Sequence, residues 1–178
     1  MSFPLRSLAN GLTIARAVAG LPLILALQTG WLALAWWLLL MAGLSDAADG
    51  WLARRAGGGS SWGARLDPLT DKVLIAAPLL WLASTETLPL WAVWLLLARE
   101  LLISGWRAQA GDGGPASLTG KAKTVLQFLA LLLMLWPPAW SGHQQLVVVG
   151  WWLFWPSLLL ALRSAVGYIK PRSRPHQR

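Results

Sequence analysis

Six apolar stretches, each about as long as a bilayer-crossing helix and each closed by turn formers, constrain this chain more than any other feature. They cover roughly 10–28, 31–53, 66–84, 88–109, 119–138 and 145–168, and roughly 20 helical residues are enough to cross a hydrocarbon core. The breaks fall at Gln28-Thr29-Gly30, Gly57 to Ser61, Thr85 to Pro89, Gly111 to Pro115 and Pro137 to Gly142, where glycine, proline and small polar residues favour turns. Only 12% of the residues are charged and 56% are hydrophobic, against about a quarter charged in a soluble domain. The expected fold is an all-α membrane protein: a six-transmembrane-helix bundle forming one domain over residues 1–170, with a basic C-terminal tail at 171–178. The apolar run from Ala17 to Leu27 behind Arg6 and Arg16 has the outline of a signal peptide. It reads as a retained first span, because Trp31 opens another apolar stretch almost at once.

The basic residues sort to alternate connections. Arg6, Arg16, Arg54, Arg55, Arg65, Lys72, Arg107, Lys121, Lys123 and the tail residues Lys170, Arg172, Arg174 and Arg178 fall on one side, and the other three connections carry no Lys or Arg. By the positive-inside rule both termini are cytoplasmic, and Trp31, Trp91, Trp136, Trp140 and Trp151 lie near the outer interface as an aromatic belt. The net charge of +8 follows from this bias and from attraction to anionic membrane lipids, so no nucleic acid is needed to explain it. There is no cysteine, which excludes disulfides, thiolate metal sites and cysteine nucleophiles. His143 in an outer connection and His176 in the tail fall on opposite sides, and neither is a credible ligand or base.

Charge near hydrocarbon persists where it is paired, hydrated or metal-bound. Of the seven acidic residues, Asp46, Asp49, Asp67 and Asp71 fall between Leu44 and Val73. Asp46 and Asp49 are three apart at the end of the second span, about 4.5 Å of helical rise, and Asp67 and Asp71 are four apart at the start of the third. A short glycine-rich connection makes these spans antiparallel neighbours and brings both pairs to one end. Divalent cations relieve the mutual repulsion of such carboxylates, and all-oxygen ligation selects magnesium, manganese or calcium over zinc. The competing reading, in which the aspartates only pair with Arg54, Arg55, Arg65 and Lys72, explains one of them more readily than all four. Arg99 and Glu100 sit inside an apolar run and are expected to be engaged by other groups.

Written out, the acidic segment is Asp46-x-x-Asp49-Gly50-x-x-Ala53-Arg54, eight residues, then Gly63-x-x-x-Asp67-x-x-x-Asp71. It resembles, position for position, the signature of the CDP-alcohol phosphatidyltransferases, membrane enzymes that displace CMP from a CDP-linked lipid with an alcohol. The segments Asn10 to Arg16, Leu66 to Leu74, Ala98-Arg99-Glu100 to Arg107, and Gly120 to Gln127 look like the phosphatidylglycerolphosphate synthase branch, which joins CDP-diacylglycerol to glycerol 3-phosphate. Two departures are Ala47-Ala48, where relatives often carry a large residue, and the short loop at Gly111 to Pro115.

The resemblance implies roles residue by residue. Asp46, Asp49, Asp67 and Asp71 become ligands of two divalent ions, Mg2+ or Mn2+, and Asp71 also the base that takes the acceptor's proton. Asn10, Thr13, Asp49, Gly50, Ala53, Arg54 and Gly63 become the CDP-diacylglycerol contacts. Gly50 and Gly63 allow close backbone approach, with small-residue helix packing as the competing reading. Arg54 presents a planar fork to phosphate, or is one more topological charge. Arg16, Arg107, Lys121 and Lys123 are candidates for the acceptor's phosphate, again beside plain inside-positive charge. Homodimerisation and a bacterial plasma membrane are likewise implied by the resemblance alone. Other acceptors, such as serine or inositol phosphate, leave the chemistry unchanged. An ion transporter would instead place its acids near the midplane on broken helices with repeats in the two halves, and no such repeat is present. An inactive scaffold has no need to keep four carboxylates at these positions.

Overall fold

The computed structural model describes residues 18–55, 63–110 and 118–169, with side chains described over 18–45, 72–105, 120 and 122–165. All regular structure among the described residues is helical: α1 (described over Val18–Gln28), α2 (Leu32–Arg55), α3 (Gly63–Ser84), α4 (Leu90–Ala110), α5 (Leu118–Met134) and α6 (His143–Ile169). Each coincides with one of the six expected stretches. Asn10, Thr13 and Arg16, and the tail at 171–178, lie outside the described residues.

Turn chemistry closes the described connections. Gly30 and Gly142 take positive φ (77° and 76°), the left-handed conformation that favours glycine. Glu86 does the same at 58° between α3 and α4, where its N–H caps the helix on the Ala83 carbonyl (3.1 Å). Pro137 and Pro138 end α5, whereas Pro156 is accommodated inside α6.

Leu23, Leu27, Leu39, Leu79, Leu82, Leu96, Leu131 and Phe154 are buried at the centre. The outward faces are equally apolar: Leu21, Met41, Leu80, Trp94, Leu102, Val125, Trp152 and Leu159 are all exposed. A surface of large apolar side chains on every helix is what a lipid solvent tolerates and water does not. Over His143–Ala165 the sixth helix is long and apolar enough by itself to cross a membrane (23 residues, mean hydropathy 1.7), alone in this among the described residues. Among the described side chains the other apolar helical segments are Val18–Gln28, Leu32–Ser45, Lys72–Ser84 and Ala122–Met134.

Packing follows small residues. α5 and α6 form the closest pair, and Gly150 lets the backbones touch, since a Cβ there would stand 2.8 Å from both the Ala130 carbonyl oxygen and the Met134 nitrogen. α2 runs antiparallel to α5: Trp36 Nε1 donates to the Leu132 carbonyl (2.9 Å), and Gly43 receives the Phe128 ring. Trp36 also sits edge-on against Trp37, Trp136 and Trp140 (centroids 5.0, 5.4 and 5.1 Å), closing the end opposite the acidic segment. That cluster joins Trp136 and Trp140, two of the residues expected at the outer interface, to α2. His143 is structural here, with Nδ1 at 2.6 Å from the Trp136 carbonyl oxygen.

Because neither backbone at the α5–α6 crossing can move without the other, Gly150→Ala is expected to lower the thermal unfolding temperature of the detergent-solubilised protein, at a cost of about 1–3 kcal/mol. Gly105 has nothing within 4 Å of its would-be Cβ, so Gly105→Ala in the same assay should leave stability unchanged or raise it through helix propensity.

Candidate active site

The backbone places the acidic segment on two helix ends. Asp46 and Asp49 fall in the last turns of α2 and Asp67 and Asp71 in the first turns of α3, with residues 56–62 joining them. The side chains of these four, and of Gly50, Ala53, Arg54, Gly63, Arg107 and Lys121, lie outside the described residues, although the helical backbone covers all ten positions. Extending the α2–α5 register from Trp36–Leu132 and Gly43–Phe128 by one turn brings positions 46–49 level with roughly positions 122–125 of α5. Counting from the turn at Thr85 to Pro89, the α3–α4 hairpin puts position 71 level with roughly position 103, and position 67 with roughly position 107 of α4. Both carboxylate-bearing turns therefore reach the depth at which α4 and α5 carry their own charges.

Those charges form a network among three helices. The Arg99 guanidinium donates from Nη1 to Glu100 Oε1 (2.6 Å), from Nε to the Ala161 carbonyl (2.9 Å) and from Nη2 to Ser164 Oγ. Lys123 Nζ donates to the same Glu100 Oε1 from α5. Ser104 Oγ donates to the Glu100 carbonyl (2.7 Å), and Ser164 Oγ donates to that of Ala161 (2.8 Å). The side chains of Arg99, Glu100 and Lys123 are only 10, 14 and 6% exposed, so each needs its partner in place of water. Gln127, one turn along α5 from Lys123, is buried as well. Two cations share one carboxylate, leaving the trio with one excess positive charge.

This meets the expectation that Arg99 and Glu100 are engaged by other groups, and it locates Lys123, the one acceptor-phosphate candidate whose side chain is described. Its ammonium is held by Glu100 and retains donors for a further acceptor. Sequence reasoning missed Ser164 and the exposed Arg163 beside it. The signal was a polar pair in the last apolar stretch, but nothing in the sequence pairs Ser164 with a residue 65 positions away.

The sequence profile of the CDP-alcohol phosphatidyltransferases matches residues 6–163. The chain belongs to this family, and it is an enzyme of the CDP-alcohol phosphatidyltransferase class, associated with the membrane. Among curated relatives, a "Probable phosphatidylglycerophosphate synthase" of Mycobacterium tuberculosis is 35% identical over 171 residues, covering 92% of this chain and 80% of the relative. A "CDP-diacylglycerol--glycerol-3-phosphate 3-phosphatidyltransferase" of Rickettsia felis is 33% identical over 177 residues, 93% of this chain and 94% of that one. One of the same name from Shigella flexneri is 36% identical over 139 residues, 72% of each.

Removing the hydroxyl that accepts from Arg99 is expected to cost about 1.5–3 kcal/mol, as for other hydrogen bonds to charged groups. Ser164→Ala should lower the unfolding temperature in detergent correspondingly, while Ser157→Ala, whose hydroxyl only caps the Phe154 carbonyl (2.7 Å), should have a smaller effect.

Proposed function

We infer that this enzyme transfers the phosphatidyl group of CDP-diacylglycerol to glycerol 3-phosphate, giving phosphatidylglycerol phosphate and CMP. The observation that carries the reading is the set of four aspartates at helical spacing, Asp46 and Asp49 on α2 and Asp67 and Asp71 on α3, within the family signature. The names of the relatives supply the acceptor, glycerol 3-phosphate. A net-positive network at the same depth suits an acceptor that is itself a phosphate.

The donor set fits a hard divalent cation, because it offers carboxylate oxygens in two pairs, each spaced to share one side of a helix. Asp46, Asp49, Asp67 and Asp71 would hold two such ions, Mg2+ or Mn2+, which when bound would neutralise the charge that develops on departing CMP. The protein's own groups do the rest. Arg54, with Asn10, Thr13, Asp49, Gly50, Ala53 and Gly63, holds the CDP moiety. Arg16, Arg107, Lys121 and Lys123 hold the acceptor's phosphate. The acceptor hydroxyl oxygen forms a bond to the phosphorus bearing diacylglycerol, and its proton passes to the Asp71 carboxylate. The bond from that phosphorus to the CMP oxygen breaks, leaving its electron pair on CMP.

Six membrane spans with both termini cytoplasmic put this site at the cytoplasmic face of a bacterial plasma membrane. Support comes from the sorted basic residues and from the apolar outward faces of all six helices. A homodimer in the membrane completes the proposal.

Asp71→Asn keeps shape and loses basicity, so CMP release from CDP-diacylglycerol should fall on the order of a hundredfold or more. Labelled CDP-diacylglycerol offered to purified enzyme with glycerol 3-phosphate, serine or inositol phosphate in separate reactions tests the acceptor. Lipid product is expected from glycerol 3-phosphate, and product from serine or inositol phosphate alone rejects the assignment.

A further inference from the structure

α4 and α5 do not pack closely against each other along their described residues, since α4 lies against α3 and α6, and α5 against α2, α3 and α6. What crosses between them is the Glu100–Lys123 ion pair. The same Glu100 oxygen receives Arg99, whose other donors are fixed on the Ala161 carbonyl and Ser164 of α6. One carboxylate oxygen thus links α4 to α5 and, through Arg99, ties both to α6. Position 107 lies seven residues beyond Glu100, on the same face of α4 and about two turns nearer its C-terminus. Position 121 lies two residues before Lys123 on α5, about 160° round the helix from it. The proposed acceptor cations Arg107 and Lys123 are therefore borne by two helices that Glu100 links.

We propose that Glu100 is a positioning residue for the acceptor: its largely buried carboxylate spaces α4 from α5 and fixes Lys123 so that Lys123 and the cation at position 107 converge on one phosphate. The inference rests on the acceptor pocket assigned above. Glu100 touches neither substrate. It acts through Lys123 and through the helix spacing, and it offsets one of two buried cations so that the pocket keeps a single excess charge. A merely structural Glu100 would lower stability without singling out one substrate. A positioning Glu100 acts on the acceptor alone, because the proposed donor contacts lie on the chain from Asn10 to Gly63.

The test uses full-length enzyme in lipid nanodiscs, with KM measured separately for glycerol 3-phosphate and CDP-diacylglycerol and unfolding temperature measured alongside. Glu100→Gln, which keeps the size and removes the charge, is expected to raise KM for glycerol 3-phosphate about tenfold while KM for CDP-diacylglycerol stays within about twofold. Glu100→Asp keeps the charge and shortens the reach by one methylene, so its KM for glycerol 3-phosphate should rise by about threefold. It decides the matter if Glu100→Gln does not fold. Wild-type KM for glycerol 3-phosphate in the folded Glu100 variants, whatever their stability, overturns the proposal, as does an equal rise for both substrates. The variant Arg107→Ala separates the two readings. Unchanged KM for glycerol 3-phosphate in that variant rejects the pocket and this inference with it. A raised KM there beside a wild-type value in the Glu100 variants rejects the positioning role alone.

Discussion

A charge surrounded by hydrocarbon must find a partner, and most of this molecule's organisation follows from that requirement. Arg99, Glu100 and Lys123 lie on helices whose outward faces are apolar, so they satisfy one another and the α6 groups Ala161 and Ser164. The resulting network ties three helices at one end. At the other, where no Lys or Arg falls in the connections, tryptophans do the joining through ring edges and the Trp36–Leu132 hydrogen bond. The bundle is thus fastened by ionic contacts at the charged end and by aromatic contacts at the opposite one.

The two kinds of fastening suit the two ends. On the proposed reading, an enzyme that handles CDP-linked lipid and a phosphate-bearing acceptor needs charge density at one end, and largely buried ion pairs hold such charge in fixed positions. Small residues do complementary work along the helices. Gly150 and Gly43 let α6 and α2 close on α5, which makes α5 the element that both neighbours use as a reference. Since α5 carries Lys123, the packing of apolar faces sets the depth of a charged group, and fold and site are coupled through one helix.

Much of this was legible in the chain itself. The six apolar stretches became six helices, because a segment that must satisfy its own backbone hydrogen bonds in an apolar setting has little alternative. The aspartate spacing and its flanking glycines marked the family. The isolated Arg99 and Glu100 announced that partners existed.

Which partners they were, the chain did not say. Helical periodicity reports the face on which a residue lies but not which helix that face meets, and Arg99 with Ser164, or Glu100 with Lys123, are joined across gaps of 65 and 23 positions. Lys123 shows the difference most clearly: by composition it was one more inside-positive cation, whereas packing buried it and gave it to Glu100. Sequence alone determined the helices, the charged end and the family, because these depend on local spacing and solvent preference. Tertiary structure decided how the helices are tied together and which charges are shared, because that depends on which side chains can reach each other once the apolar faces have closed.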